Sequence, residues 1–466
     1  MNPWYHPAKL IPLLAGLLGA IVVAQWLIRT RPPINVPARV PGTDTAGKTN
    51  LPLTGPAKLT GTLTKSGAVP ASLPGSWPRF RGPNGDDISP GPAPLSESWS
   101  PSGPPRLWSV DLGEGYAGAA VLNSRVYVLD YDQLKNRDTL RCLSLADGQE
   151  IWSRSYPVKV KRNHGMSRTV PAVTSKYVVT IGPKCQVVCL DSITGDFRWG
   201  IDMVNEFHAR VPPWYAGQCP LIDGDRAILA PGGVSMMIAV DCAKGQVLWK
   251  TPNPHLWNMT HSSIVPVTFE GKKMYVYCAS GGVVGVSADD GKLLWETDAW
   301  KVNIATVPSP VVVGDGKILL TGGYDAGSML LQLEDDSGKI VPRVEWRLTP
   351  DLLGSDQQTP IFYQGHIYAV IPDGELACLD LAGHSLWTSG SGGRFGLGPY
   401  LIAGGMIYLV NDTGTLTLAR ATPEKYEPLA QAKVLTGHDS WGPLAMAGKR
   451  LIARDLTRMV CLDVGK

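Results

Sequence analysis

From residue 104 to the C-terminus, the same order of apolar runs and polar turns returns eight times. Each copy has a short apolar run, a tight turn, a β-rich run, a second run ending near Leu-Asp, and a glycine turn. The copies are 40 to 51 residues apart. A period of this length with four short strands per copy predicts a β-propeller blade. The central residue of each turn-plus-strand signature is Tyr127, Val178, Ile228, Tyr275, Leu319, Tyr368, Tyr408 and Ile452.

The second half of most copies ends in a Gly-x-x-x-Trp pattern, as in CLDSITGDFRW and AVDCAKGQVLW. The glycine supplies the positive φ that a short hairpin needs, and the tryptophan then lies in the outer strand. Because the indole recurs in one register, we expect it to dock between neighbouring sheets. The tryptophans assigned to this structural docking are Trp108, Trp152, Trp199, Trp249, Trp295, Trp346 and Trp387.

The two ends of the repeat region complement each other. The last copy stops after its third strand, whereas PPRLWSVDL at residues 104–112 reads as an outer strand that precedes the first copy. Pairing the two removes an open sheet edge. The outer strand of the seventh blade is expected near residues 426–435. The sequence therefore predicts one all-β domain over 104–466, a closed ring of eight four-stranded antiparallel blades.

The N-terminal quarter differs from the repeats. Residues 10–28 are almost continuously apolar, which predicts one hydrophobic helix within a segment 1–31 that is either a membrane anchor or a secretory signal cleaved after Ala24. Residues 32–103 form a linker rich in Pro, Gly, Ser and Thr, since 16 of the 39 prolines fall between Pro32 and Pro105. We expect it to act as a tether. Within it, Trp77 and Phe80 are expected to dock locally while the neighbouring arginines stay in water.

Composition excludes several classes of protein. Wholesale disorder conflicts with 44% hydrophobic residues, and helical bundles conflict with abundant Gly, Pro and Trp. A formal net charge of +3 offers no basic stripe for nucleic acid, so no nucleic-acid partner is expected.

The A-x-D-x-x-T-G-x-x-x-W pattern resembles the tryptophan-docking motif of pyrroloquinoline-quinone (PQQ)-type propeller repeats over about residues 104–466. That superfamily includes quinoprotein alcohol dehydrogenases, the propeller lipoprotein of outer-membrane β-barrel assembly, and exported bacterial repeat proteins. The resemblance implies the propeller fold, and it leaves function open because one fold serves many functions.

The resemblance also indicates what a quinone enzyme would show. Members that use PQQ have a disulfide between adjacent cysteines, a Ca²⁺ ion held by acidic and amide side chains, and an aspartate base. No two of the eight cysteines are adjacent here, and the Asp-rich pairs lie in hairpin turns. We therefore expect no catalytic residue, no metal and no cofactor, with PQQ and calcium retained only under the alternative of a divergent dehydrogenase.

Segments that join an outer strand to the next inner strand all emerge on one face of a propeller, and here they collect histidines and aromatics. Such a composition suits a recognition surface, although long loops also need small apolar clusters of their own. In the outer-membrane assembly relative, these loops contact the partner. The candidate partner-binding residues are His164, Arg168, His208, Arg210, Trp214, Tyr215, Trp257, His261, Trp300, Arg394 and Trp441.

The sequence thus favours a non-catalytic, exported and membrane-tethered scaffold that binds a protein partner in the bacterial cell envelope. The propeller is expected to be monomeric. It is anchored in the inner membrane through residues 10–28, or is periplasmic or secreted if that segment is removed. The alternatives are a divergent PQQ-dependent dehydrogenase with its cofactor in the central funnel, and a carbohydrate- or peptide-binding module.

Overall fold

The structure is a computed structural model that describes residues 16–25, 58–91 and 94–466. Two compact units are distinguished, residues 1–50 and 51–466. In the first, residues 16–25 form helix α1. The remainder of the apolar segment 10–28 lies outside the described residues, and none of the described helices has the length and apolar character needed to cross a bilayer.

The second unit is the predicted all-β propeller, built of eight sheets that each contain four antiparallel strands, which follow one another in sequence in blades 1 to 7. The strands of each blade are given from the innermost outwards. Blade 1 contains β4 (Ala120–Leu122), β5 (Arg125–Asp132), β6 (Arg137–Ser144) and β7 (Glu150–Pro157), and blade 2 contains β8 (Ala172–Val173), β9 (Tyr177–Ile181), β10 (Gln186–Asp191) and β11 (Phe197–Asp202). Blade 3 contains β12 (Leu221–Asp223), β13 (Arg226–Leu229), β14 (Ser235–Asp241) and β15 (Val247–Pro252), and blade 4 contains β16 (Val265–Phe269), β17 (Lys272–Ala279), β18 (Gly282–Ser287) and β19 (Leu293–Thr297).

Blades 5 to 8 follow the same order, and blade 8 takes its outer strand from the N-terminal side of the repeats. Blade 5 contains β20 (Val311–Gly314), β21 (Lys317–Gly322), β22 (Gly327–Asp336) and β23 (Lys339–Leu348), and blade 6 contains β24 (Ile361–Tyr363), β25 (His366–Val370), β26 (Leu376–Leu379) and β27 (Ser385–Thr388). Blade 7 contains β28 (Tyr400–Ala403), β29 (Met406–Val410), β30 (Thr415–Arg420) and β31 (Pro428–Lys433), and blade 8 contains β32 (Ala445–Ala447), β33 (Arg450–Arg454), β34 (Arg458–Asp463) and β3 (Arg106–Asp111). A single helical turn, α2 (Met203–Phe207), follows β11.

The ring closes as the sequence predicts. Strand β3 pairs antiparallel with β34, with Trp108 opposite Cys461. The outer strand of blade 7, β31, lies within the predicted window 426–435. Because blade 8 combines a strand from residues 106–111 with strands from the C-terminal end, no blade is left with three strands.

The recurring tryptophans share one register. In blade 2, Trp199 faces Cys189 across β10 and β11, and a β-bulge follows at once. The same arrangement places Cys142 opposite Trp152. Five indoles donate their N–H to a backbone carbonyl in the next blade: Trp108 to Leu145, Trp152 to Ile193, Trp199 to Cys242, Trp346 to Leu381 and Trp387 to Thr422, at 2.8–3.0 Å.

Two tryptophans depart from this bonding. Trp295 points its indole N–H at Met274 Sδ of its own blade, 3.2 Å away, and the buried indole nitrogen of Trp249 has no partner. Trp249 nevertheless packs under the hairpin glycine of blade 4, where a Cβ on Gly291 would lie 2.4 Å from its ring. That glycine is required both for its positive φ of 73° and for this close approach.

The described part of the predicted linker is packed against the propeller, which differs from the expectation of a tether. Strand β1 (Thr62–Lys65) adds a fifth strand to the outer edge of blade 1, and β2 (Ile88–Ser89) pairs in parallel with the inner strand of blade 7. We call residues 58–91 and 94–103 the strap. The strap is held by backbone hydrogen bonds and its sequence has no apolar periodicity. Its course therefore cannot be predicted from the sequence pattern.

Residues 77–89 of the strap, called the plug, run into the central channel. Trp77 exchanges two backbone hydrogen bonds of 2.7 Å with Val121 in blade 1. Pro78 accepts from Val173 in blade 2, and Asp87 accepts from Ile402 in blade 7. The plug thereby ties together the inner strands of blades on both sides of the closing blade.

The docking of Trp77 is as expected, since only 1% of the residue is exposed. The expectation that both neighbouring arginines stay in water is wrong. Arg81 is 3% exposed, and it donates to Asp87 Oδ2 at 2.6 Å and to the carbonyl of Pro360 in blade 6 at 2.8 Å. A guanidinium with several donors can leave water only when such acceptors replace it.

Candidate functional site

The outer-to-inner connections and the loops between each blade's second and third strands lie on the same side of the ring, which we call the loop face. A cavity of about 360 Å³ opens there at the propeller axis. Loop residues form its walls, and Phe80 and Asp87 of the plug contribute its floor. We call this cavity the central cup. The strap approaches from the opposite side, because Leu73 bonds to Ser124 in the first tight turn of blade 1.

Arg168, in the loop that enters blade 2, is the most unusual charge in the cup wall. Its Nε donates to the carbonyl of Trp214, and its guanidinium carbon lies 5.0 Å from the centre of the Tyr116 ring. Its Nη2 atom is buried and has no hydrogen-bond partner. Burial lowers the pKa of Arg168 to about 10, and the groups that oppose this are tyrosines instead of carboxylates. The side chain remains a cation at neutral pH.

Aromatic rings surround this cation. Tyr116 and Trp441 are 5.1 Å apart at their centres. Asp439 accepts from the Tyr116 hydroxyl at 3.1 Å, while Asp412 accepts from the Trp441 indole at 2.7 Å. Two rings of the cup are therefore fixed by carboxylates behind them.

His261 forms part of the wall between blades 3 and 4. Its Nε2 lies 2.7 Å from the carbonyl oxygen of Pro213, which makes Nε2 the protonated nitrogen of a neutral ring. Burial, and secondarily the charge of Arg168, lowers the pKa of His261 to about 4. The ring fits only because residue 217 is glycine, since a Cβ there would lie 2.6 Å from Cδ2 of His261.

Asp87 on the floor is also perturbed. Burial raises its pKa to about 6, and the ion pair with Arg81 opposes that rise. This carboxylate is committed to the plug's own structure. It does not neutralise Arg168, because among the described residues it pairs with Arg81.

Around the cup, three loops of blades 2 to 4 interlock and hold aliphatic side chains in solvent. The Asn253 amide donates to the carbonyls of Gly233 and Trp257 at 2.9 and 2.8 Å. Val234 N–H donates to the carbonyl of Phe207 at 3.0 Å. The exposed residues that result, called the rim aliphatics, are Val211 at 37%, Val234 at 53% and Leu256 at 67%.

The structure brings five of the predicted partner-binding residues together. His164, Arg168, Trp214, His261 and Trp441 all line the central cup.

The other candidates lie outside the cup. His208, Arg210 and Arg394 are exposed on the loop face. Tyr215 is half-buried and bonds to the carbonyl of Lys161, and Trp257 is half-buried with its ring stacked 5.0 Å from His255.

Trp300 is the exception among these candidates, because only 2% of it is exposed. It packs with Val302 in the core between blades 4 and 5. Its assignment to a binding surface is wrong. A bulky ring in this long connection fills the space between two blades and offers no surface to a partner.

Sequence reasoning missed several cup residues. Tyr116 lies in residues 112–119, which connect the closing strand β3 to blade 1 and are therefore one more outer-to-inner loop. Applying the loop rule to that connection would have found it. Tyr324 lies in a tight turn of blade 5, and Phe80 and Asp87 belong to the plug. No periodic signal marks these three.

Residues 136–389 match the protein family described as outer membrane protein assembly factor BamB. The match covers more than half of the chain. The chain belongs to this family. The PQQ-type resemblance of the repeats is thereby confirmed.

Two curated relatives share that description. The outer membrane protein assembly factor BamB of Yersinia pestis is 23% identical over 311 residues, covering 62% of this chain and 68% of the relative. The BamB of Moranella endobia (strain PCIT) is 22% identical over 319 residues, covering 66% and 76%.

Solved structures show the same fold. BamB from Moraxella catarrhalis superimposes with a TM-score of 0.54 at 13% identity, covering 77% of this chain and 99% of the relative. A europium-containing methanol dehydrogenase gives a TM-score of 0.59 at 13% identity, covering 84% and 90%. At these identities the likeness shows the fold alone.

The side chains that could ligate a metal are dispersed in the part of the chain that the structure describes. Within residues 16–25, 58–91 and 94–466, no group of three or more His, Cys, Asp or Glu side chains could hold a metal ion. All eight cysteines are buried free thiols. Burial raises their pKa values, for example to about 11 for Cys219 at the cup. They behave as small apolar residues of the blades.

Proposed function

We propose that this chain is a non-catalytic scaffold of the bacterial cell envelope that binds a protein partner through its loop face. Membership in the family and the description of the two curated relatives support a role in outer-membrane protein assembly. The observation that carries the proposal is the set of rim aliphatics, because exposed aliphatic side chains on rigid loops are typical of interaction sites.

The interlocked loops explain why these side chains suit recognition. Asn253 accepts from Trp257 N–H at 3.1 Å in addition to its two donated bonds, so one side chain fixes two loops. A surface that is already ordered loses little entropy on binding. The cup at its centre adds tryptophan, tyrosine and arginine, the residue types that dominate binding energy at interfaces.

The test uses a double variant of the rim. In Val234→Glu/Leu256→Glu, two charges replace apolar side chains that are already in solvent, so the fold is preserved while docking is opposed. The matched control is Leu248→Glu/Leu293→Glu, which alters two exposed aliphatic residues on the outer strands β15 and β19. Tagged proteins are purified from solubilised envelopes, and the proteins that accompany them are quantified by mass spectrometry.

We expect the rim variant to lose its accompanying proteins at least tenfold, while the control keeps them. Equal recovery with both variants would show that the partner binds elsewhere. The dehydrogenase alternative is tested in parallel, because a stoichiometric quinone spectrum or dye-linked alcohol oxidation after reconstitution with PQQ and Ca²⁺ would overturn the non-catalytic assignment.

Export is proposed on the sequence of residues 10–28, which serve either as an inner-membrane anchor or as a cleaved signal. The proposed domains are the N-terminal segment 1–31, the linker 32–103 and the propeller 104–466. The strap is the part of the linker from residue 58 that packs on the propeller. The mass of the mature protein distinguishes the two forms, since cleavage after Ala24 removes the first 24 residues.

A further inference from the structure

We propose that the partner inserts a carboxylate into the central cup, where Arg168 receives it. This inference rests on the proposed function and names the chemistry at the centre of the interface. The carboxylate belongs to an acidic side chain or to the C-terminal residue of the partner polypeptide, and the experiment below separates these two sources.

The first observation is that Arg168 lacks a counter-charge. Only its Nε has a protein acceptor, and that acceptor is the backbone carbonyl of Trp214. Nη2 is buried with no acceptor, and among the described residues no ion pair involves Arg168. A buried guanidinium nitrogen without an acceptor is costly, so a fold keeps one where a ligand supplies the missing acceptor. A carboxylate accepts two parallel N–H bonds and matches the guanidinium fork.

The second observation is the arrangement of the remaining charges. Asp356, an exposed carboxylate of the cup, enters blade 6, four blades from Arg168 in a ring of eight. Asp87 is occupied by Arg81, and Asp439 lies 3.2 Å from His438 Nδ1. The acids of the cup therefore leave Arg168 free for an incoming anion.

The third observation is position. The cup opens at the centre of the loop face, the rim aliphatics lie to one side of it on loops of blades 2 to 4, and the plug forms its floor. A partner that rests on the rim aliphatics and extends over the axis covers the mouth of the cup and removes water from it. Charged hydrogen bonds are strongest at such dry interface centres. The flat walls of Tyr116, Trp214 and Trp441 suit the apolar stem that carries the carboxylate.

The test is saturation-transfer NMR on the full chain with three short peptides. Ac-ALELA-amide carries only a side-chain carboxylate, Ac-ALQLA-amide carries none, and Ac-ALQLA with a free C-terminus carries only a terminal one. The variants are Arg168→Gln and Arg168→Lys, and the matched control is Arg162→Gln, which removes an exposed arginine of the same loop outside the cup. Thermal melts establish that each variant is folded.

We expect at least one carboxylate peptide to bind wild-type protein at least tenfold more tightly than Ac-ALQLA-amide. The peptide that binds identifies the source. The preference should disappear in Arg168→Gln, weaken in Arg168→Lys and persist in Arg162→Gln.

The inference is overturned if no carboxylate peptide binds at millimolar concentration, if the neutral peptide binds equally, or if folded Arg168→Gln keeps the preference. Binding of benzoate by protein that ignores all three peptides would show a small-molecule site and would also overturn it. The wild-type comparison does not depend on any variant. If the peptide experiment fails, the scaffold proposal still stands. Binding of a partner through the loop face is tested separately, by the rim variants.

Discussion

At the scale of single residues, the propeller is joined by one repeated contact. Four indoles lie under the hairpin glycine of the next blade, and five donate their N–H to a turn carbonyl there. The register makes the residue opposite the indole small, as with Cys189 opposite Trp199. The same position explains why Cys142, Cys378 and Cys461 are cysteines with no disulfide.

Trp199 and Trp249 provide an internal comparison of this contact. Trp199 donates to the carbonyl of Cys242 at 2.8 Å, whereas the Trp249 nitrogen has no partner. Trp199→Ala should lower the free energy of unfolding by about 3–5 kcal/mol. Trp199→Phe should cost about 1 kcal/mol more than Trp249→Phe, since only the former removes an indole hydrogen bond and leaves the Cys242 carbonyl with the weak thiol donor of Cys189. Denaturant unfolding of both phenylalanine variants measures the difference, and an equal or reversed loss would contradict it.

His261 predicts a pH dependence with a definite sign. Its pKa is about 4 in the folded protein and about 6.5 in the unfolded chain. Between these values the unfolded chain binds the extra proton, so stability falls as the pH falls from 6.5 to 4. Compared with His261→Gln, wild-type protein should lose about 3 kcal/mol over that window.

The measurement is denaturant unfolding of both proteins at several pH values. The buried carboxyls Asp87 and Asp138, whose pKa values are raised to about 6 and about 7, are common to both proteins and cancel in the difference. A difference that stays flat from pH 6.5 to 4 would show that the ring is not held neutral.

At the scale of strands, closure depends on one element from outside the repeat order. β3 covers the edge of β34, and an uncovered edge exposes a row of unpaired backbone groups. The strap contributes two further strands but covers no edge that closure requires.

A series of N-terminal truncations separates these contributions. Removal of residues 1–57 should leave the melting temperature of the propeller unchanged. Removal of 1–103 should lower it because the plug and β1 are lost, with the protein still monomeric. Removal of 1–112 should cause self-association through the open edge of blade 8. Calorimetry and light scattering after gel filtration report both properties, and a monomeric 1–112 truncation with the melting temperature of the 1–103 truncation would refute the role of β3.

The blades could be predicted from sequence because each repeats the same turn, glycine and tryptophan, and even the displaced strand β3 carries its Trp108. The plug could not be predicted, because its bonds are made by backbone groups that leave no pattern in the side chains. The burial of Arg81 was missed because one of its acceptors, the carbonyl of Pro360, is brought to it only by the fold. Pattern analysis detects apolar residues that recur periodically, and it does not detect a single extended segment such as the plug.

At the scale of the whole molecule, the candidate binding residues are concentrated on one face. Five cup residues were predicted because the outer-to-inner loops can be read from the repeat. Trp300 lies in the same class of loop yet fills the space between two blades, so loop membership alone does not separate a binding residue from a packing residue. An exposed side chain that lies near the propeller axis is a candidate for binding, whereas a buried one fills space between blades. Both properties can be read only from the folded structure.

The pairing of β3 with β34 also sets an order of events during synthesis. A ribosome makes Arg106–Asp111 before any complete blade, and its partner Arg458–Asp463 only after the other seven blades. The closing strand must therefore wait, unpaired, until those blades have been made. Contacts so distant in sequence form slowly, so the edge of β3 stays open longer than the edge of a strand that pairs within its own repeat, and a holding chaperone would act there.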